Sequence, residues 1–82
     1  MIKRTVDISQ ASYLYLKNRQ LLIDQQGEMV GSVPVEDLGI LILEHPAITL
    51  TQGVLLACQK NNVAVVFCDE RHLPYSTLLP IS

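Results

Sequence analysis

Ile40-Leu41-Ile42-Leu43 and, further on, Val63-Ala64-Val65-Val66-Phe67-Cys68 decide the fold of this 82-residue sequence, because both run apolar without alternation. Strands of that kind are expected to be covered on both faces. Between them, Thr49 or Thr51 can cap a short helix in which Leu50, Val54, Ala57 and Cys58 recur at helical spacing. Lys60 suits the negative end of its dipole, and Asn61-Asn62 can end it. The order strand, helix, strand favours a right-handed parallel crossover.

The half of the chain before this unit reads differently. Thr5 to Ile8 alternates polar with apolar, and Tyr13 to Leu16 alternates rings with aliphatics, as half-buried strands do. Lys17-Asn18-Arg19 connects to Gln20–Asp24, and Gln25-Gln26-Gly27-Glu28 leads to Met29–Val35. This half is expected to be a β-meander. Pro34 lacks a ladder donor and places its strand at a sheet edge or beside a bulge. Glu36-Asp37 forms a solvated turn, Pro74 interrupts a loop, and Thr77–Leu79 supplies a short last strand. The expected architecture is α+β, predominantly β: an N-terminal β-meander plus a strand-helix-strand unit in one small two-layer domain over residues 1–82. The sequence stops after Ile81 without a capping element, as a domain cut from a longer protein would.

A chain this short buries only about 60% of its unfolded surface. Its 49% apolar and 17% charged residues supply one core and a surplus that suggests a partner surface. No apolar run approaches the roughly 18 residues of a membrane span, and the opening stretch lacks a signal-peptide core, so a cytoplasmic protein without membrane contact is expected. Cys58 and Cys68 lack CxxC spacing and read as reduced core residues. The glycines form no phosphate-binding spacing, and no serine sits in a nucleophile elbow. Net charge is -2, and the basic residues Lys3, Arg4, Lys17, Arg19, Lys60 and Arg71 are scattered along the chain, so any nucleic-acid contact is expected to be auxiliary.

One cluster invites a chemical reading. If the two apolar strands are parallel neighbours, Glu44-His45 and Asp69-Glu70-Arg71-His72 reach one sheet edge, where sites tend to form. Two imidazoles and three carboxylates there could bind a divalent metal or do acid-base work. Strand ends that merely meet solvent look the same, no HxxxH or HxxE pairing fixes ligands, and Arg71 competes for the carboxylates. No catalytic or metal-ligating residue is assigned from this pattern.

Three segments together carry a resemblance: Gly31-Ser32-Val33-Pro34-Val35-Glu36-Asp37-Leu38-Gly39, Ile48-Thr49-Leu50-Thr51-Gln52-Gly53, and the run from Asn62 to Pro74. In order and spacing they resemble the amino-terminal domain of the CRISPR-associated spacer-acquisition integrases, and of representatives that accompany type II systems most closely. Lys3-Arg4-Thr5 and Tyr13–Lys17 fit the family's first strands as well. The resemblance implies a prokaryotic antiviral protein whose β-rich first domain helps pair two subunits as a homodimer. Catalysis, on DNA and with magnesium or manganese, is implied for a helical second domain, through which the second CRISPR adaptation protein is also bound. No cofactor is therefore expected on these residues. The resemblance further implies that the loop after the first strand, Gln10-Ala11-Ser12-Tyr13, braces a DNA duplex end; Lys3 and Arg4, in the preceding strand region, are the candidate phosphate contacts. Gln10 departs from the aromatic that stacking on a base pair requires, so Tyr13 or Tyr15 would supply the ring. The competing reading is a stand-alone homodimerisation module without catalysis.

Overall fold

The computed structural model describes residues 2–80. The strands are β1 (Arg4–Ile8), β2 (Ser12–Lys17), β3 (Gln20–Gln25), β4 (Glu28–Pro34), β5 (Leu38–Leu43), β6 (Ile48–Leu50), β7 (Ala64–Cys68) and β8 (Pro74–Leu78). One 3-10 turn, Val35–Asp37, precedes β5, and one helix, α1 (Gln52–Lys60), precedes β7. The fold is α+β and predominantly β. Two four-stranded sheets, β1-β5-β7-β8 and β4-β3-β2-β6, form its layers.

In the first sheet β5 pairs in parallel with β1 on one side and β7 on the other, while β8 returns antiparallel along β7. The second sheet is an antiparallel β2-β3-β4 meander with β6 parallel to β2. The core lies between the layers, where Ile8, Leu41, Leu43 and Val65 face Leu14, Leu21 and Val33. Full burial of such side chains stabilises by about 1.5–3 kcal/mol each, which sets the register of every strand that carries one.

Two sequence expectations change here. β1 is not part of the meander. Its partner is β5, because Ser9-Gln10-Ala11 carries no Gly or Asn to close a tight hairpin with β2, and β5 needs a partner on both edges. Nor is β5 covered on both faces: Leu41 and Leu43 are buried, whereas Ile42 is half-buried and Ile40 is 39% exposed. The connection from β5 to β7 passes first through β6 of the opposite sheet, so α1 packs on the core side through Val54 and Cys58. Among the described residues no helix covers the outward face of β5.

Local chemistry explains the remaining elements. Thr51 is the helix cap, its Oγ1 accepting from the Val54 N–H at 3.3 Å, while Thr49 and Leu50 lie in β6. Pro34 ends β4 at the sheet edge, as its missing donor requires, and Pro74 opens β8 instead of lying in a loop. The last strand therefore begins three residues earlier than the expected Thr77. A Cβ on Gly39 would lie 2.7 Å from the Lys3 Cβ, and Gly39 is the extra residue where the β1–β5 register shifts. The expected stop after Ile81 falls outside the described residues.

Both hairpins of the meander turn on left-handed residues: Asn18 and Arg19 at φ 52 and 60, then Gln26 and Gly27 at φ 53 and 82. Arg19 holds this conformation without the freedom of glycine, at a cost of order 1 kcal/mol. Arg19→Gly should therefore stabilise the domain by about 0.5 kcal/mol and raise Tm by a few degrees, read by thermal unfolding. A lower Tm would contradict the left-handed turn.

Candidate nucleic-acid interface and strand-end cluster

Strand directions give the sandwich two ends. β1, β5 and β7 begin at one end, where the β2–β3 turn, the 3-10 turn and the end of α1 also lie. That end gathers Lys3, Arg4, Lys17, Arg19 and Lys60, five of the six Lys and Arg residues, all exposed. The other end holds Asp7, Asp24, Glu28, Glu44, Asp69 and Glu70, six of the eight acidic residues, with Arg71. A set of cations scattered in sequence is thus one pole in space, and a net charge of -2 conceals a strong dipole. The signal was present in the sequence: each of these five basic residues sits at or beside a strand start, a turn or a helix end that the topology brings together.

The expected DNA-contact residues are divided between the poles. Lys3 and Arg4 lie at the basic end, where the Lys3 ammonium donates to the Glu36 carbonyl. Gln10, Ser12 and Tyr13 lie at the acidic end, since β1 alone separates its termini by roughly 13 Å. Ser12 is 7% exposed; its hydroxyl donates to the Gln10 carbonyl at 2.8 Å and accepts from Gln25 Nε2 at 3.1 Å. Both bonds of this buried hydroxyl are made within the protein, and they fix the loop. Tyr13 is 44% exposed and stacks on Tyr15, with ring centroids 5.4 Å apart. The Tyr15 hydroxyl donates to Asp24 at 3.4 Å, and burial together with that carboxylate pushes its phenol pKa up. Tyr13 thus presents the free ring face, beside a shallow 360 Å³ depression bordered by Ala11, Asp24, Gly27 and Ala47.

At the basic end a larger groove of about 910 Å³ opens between the β2–β3 turn, the 3-10 turn and α1. Leu16, Pro34, Val35 and Leu56 form its apolar lining, and Arg19 and Lys60 stand at it with Glu36.

The strand-end cluster assembles as the parallel pairing requires, and β1 adds Asp7 to it. His72 Nδ1 lies 3.4 Å from Glu44 Oε1, while His45 Nδ1 is occupied by the Ala47 N–H at 3.0 Å. Arg71 pairs with Asp69 at 3.6 Å, and the Asp69 carboxylate also accepts from the Arg71 and Leu73 N–H groups. Among the described residues no three His, Cys, Asp or Glu side chains are grouped to hold a metal ion. Glu44 thus pairs with His72 and Asp69 with Arg71. Cys58 is a core residue, its thiol pushed up to about 11 by burial. Cys68 is not: it lies half-buried, and desolvation followed by the charges of Glu44, Asp7 and Asp69 pushes its thiol up. Neither thiol is activated as a nucleophile.

A hydrogen bond shared with Asp7, then burial and the Asp7 charge, raises the Glu44 pKa above the ordinary carboxylate range against the opposing pull of His72. A raised folded-state pKa means that the favourable contribution is complete at low pH and lost as pH rises through the folded value. Glu44→Gln should therefore raise Tm at pH 7.5 and leave it unchanged near pH 3.5, measured by thermal unfolding at both pH values. A lower Tm at pH 7.5 would show instead that attraction to His72 outweighs repulsion from Asp7.

The family model for CRISPR associated protein Cas1 matches residues 7–82. The CRISPR-associated endonuclease Cas1 of Neisseria meningitidis serogroup C is 36% identical over 80 residues, covering 98% of this chain and 26% of that protein. Among solved structures, a Cas1 protein from Thermotoga maritima superposes with a TM-score of 0.82 at 14% identity, over 95% of this chain and 26% of its own. A Cas1–DNA complex, TtCas1, gives 0.82 at 17% identity over 98% of this chain and 30% of its own. A partial Cas6-RT-Cas1–Cas2 complex gives 0.88 at 12% identity over 98% of this chain and 24% of that one. The chain thus spans about a quarter of the length of the relatives it matches. With its sequence matched almost throughout and its two-sheet fold shared, the chain belongs to the Cas1 family of CRISPR-associated proteins.

Proposed function

We propose that this region is the non-catalytic amino-terminal part of a CRISPR adaptation integrase, pairing subunits and giving auxiliary contact to the DNA that is inserted. The observation that carries the reading is the family match over residues 7–82, combined with coverage of only 26% of the Neisseria relative. Catalysis, with magnesium or manganese, belongs on this reading to a separate helical domain, and no step of it is assigned to residues described here. Contact with the second adaptation protein belongs there too; one structural relative is a Cas1–Cas2 complex.

The geometry supports a division of labour in the DNA contact. Phosphates suit the basic pole, where Lys3, Arg4 and Lys17 are exposed together. A duplex end suits Tyr13, whose exposed ring offers a stacking face; stacking on a base contributes about 1–3 kcal/mol. Pairing of two subunits is supported by the outward face of the β1-β5-β7-β8 sheet, where Ile40 is exposed and Ile42 and Val66 are half-buried without a covering element. The prokaryotic cytoplasm is the setting this role requires, and among the described residues no helix is long and apolar enough to cross a membrane.

Two measurements test the reading. Residues 1–82 alone, incubated with magnesium or manganese and branched DNA, should show no cleavage and should sediment as a dimer at micromolar concentration. Cleavage abolished by His72→Ala would return the strand-end cluster to catalysis, and a monomer persisting to millimolar concentration would remove the pairing role. In the full-length protein, Tyr13→Ala should weaken capture of duplexes with splayed ends about tenfold and leave long uninterrupted duplexes unaffected. Equal losses on both substrates would assign the ring to structure.

A further inference from the structure

The groove at the basic end lies at the end of the sandwich toward which the last described strand runs. β8 runs antiparallel to β7 and pairs Leu78 with Val65, so it delivers the chain to the end where β7 starts. Lys60 and Asn61, which line the groove, lie a few residues before that start, and the Val63 N–H donates back to the Cys58 carbonyl of α1 at 2.8 Å. Chain exit and groove therefore share one end of the sandwich.

We propose that this groove seats the stretch of chain that follows residue 82 in the full-length protein. The proposal rests on the reading that these residues are the amino-terminal part of a longer chain, whose relatives are about four times this length. Its occupant is an apolar segment carrying an acidic side chain. Leu56, 50% exposed, and Leu16, 37% exposed, are aliphatic side chains whose lining position leaves them uncovered in the folded domain. Arg19 and Lys60 outnumber the single lining carboxylate, Glu36. At about 910 Å³ the groove falls within the range of roughly 300–1,000 Å³ that binding pockets occupy.

Covalent connection makes modest complementarity sufficient. A segment tethered by a short linker is presented at an effective concentration in the millimolar range, so a weak groove is filled. A DNA backbone fits less well, because it offers no apolar group for Leu56 and Leu16 and would meet only two lining cations. Docking there would also fix the following domain relative to the basic pole and the duplex phosphates near it.

Hydrogen exchange read by mass spectrometry on the full-length protein tests the seat. Amides in the stretch just after residue 82 should exchange at least tenfold more slowly than in a free peptide of the same sequence. Leu56→Asp should abolish that protection and Arg19→Gln should reduce it, while amides of β5 and β7 keep theirs, which separates undocking from unfolding. Unprotected amides in the wild type, or protection that survives Leu56→Asp, would overturn the proposal. So would protection that scales with protein concentration, indicating a second copy, or that arises only with duplex DNA, indicating nucleic acid as the occupant. Spacer integration by the same preparation reports separately on the functional reading: intact integration with an unprotected segment sinks the seat alone, whereas a reading frame closing at Ser82 sinks both.

Discussion

Parallel pairing of β5 between β1 and β7 is the constraint on which the rest of this structure depends. Leu41 and Leu43 can be buried only if β5 has hydrogen-bonded neighbours on both edges and a second sheet across the core. Parallel neighbours cannot be joined by a tight turn, so the chain must travel the length of the domain between them. It does so twice: from β1 to β5 through the whole β2-β3-β4 meander, and from β5 to β7 through β6 and α1. The second sheet is thus the crossover of the first, and the core is what the two bury together.

From that topology the charge distribution follows. Three parallel strands start at one end, and the two long crossovers place the β2–β3 turn and the end of α1 there as well. Lys3 and Arg4, Lys17 and Arg19, and Lys60 each occupy one of these positions, so sequence spacing becomes spatial concentration. The carboxyl ends of the same strands collect Asp7, Glu44 and Asp69, whose mutual repulsion is tempered by His72 and Arg71. This segregation gives a chain of net charge -2 a basic surface at the end opposite its acidic pole.

Much of the fold was legible in the sequence, because local periodicity reports which residues need burial. The alternation in β1 and β2, the hairpin at Asn18-Arg19, the edge position of Pro34 and the helix closed by Asn61 all follow from local chemistry. Partner choice is not local: β1 alternates whether it joins β2 or β5, and only the requirement of β5 for two neighbours decides. The same gap hid the exposed outward face of Ile40, since an apolar run does not disclose on which side its crossover passes. At the candidate site, Lys3, Arg4 and Tyr13 could be named from the sequence as candidates, but their separation to opposite ends could not, because it depends on strand direction. Ser12 has the composition of a ligand contact, and only its burial against Gln25 shows its structural part.

Strand topology converts scattered cations into one basic pole, and the proposal that this pole meets phosphates is tested most directly by the salt dependence of duplex binding by the full-length protein. Counterion release makes log K fall with log salt by about 0.9 per neutralised phosphate, so replacing Lys3, Arg4 and Lys17 together by Ala should reduce the slope by roughly 2 to 3. Arg71→Ala, at the acidic end, should leave the slope unchanged. Equal slopes for the triple variant and the wild type, or a change produced by Arg71→Ala instead, would contradict the account.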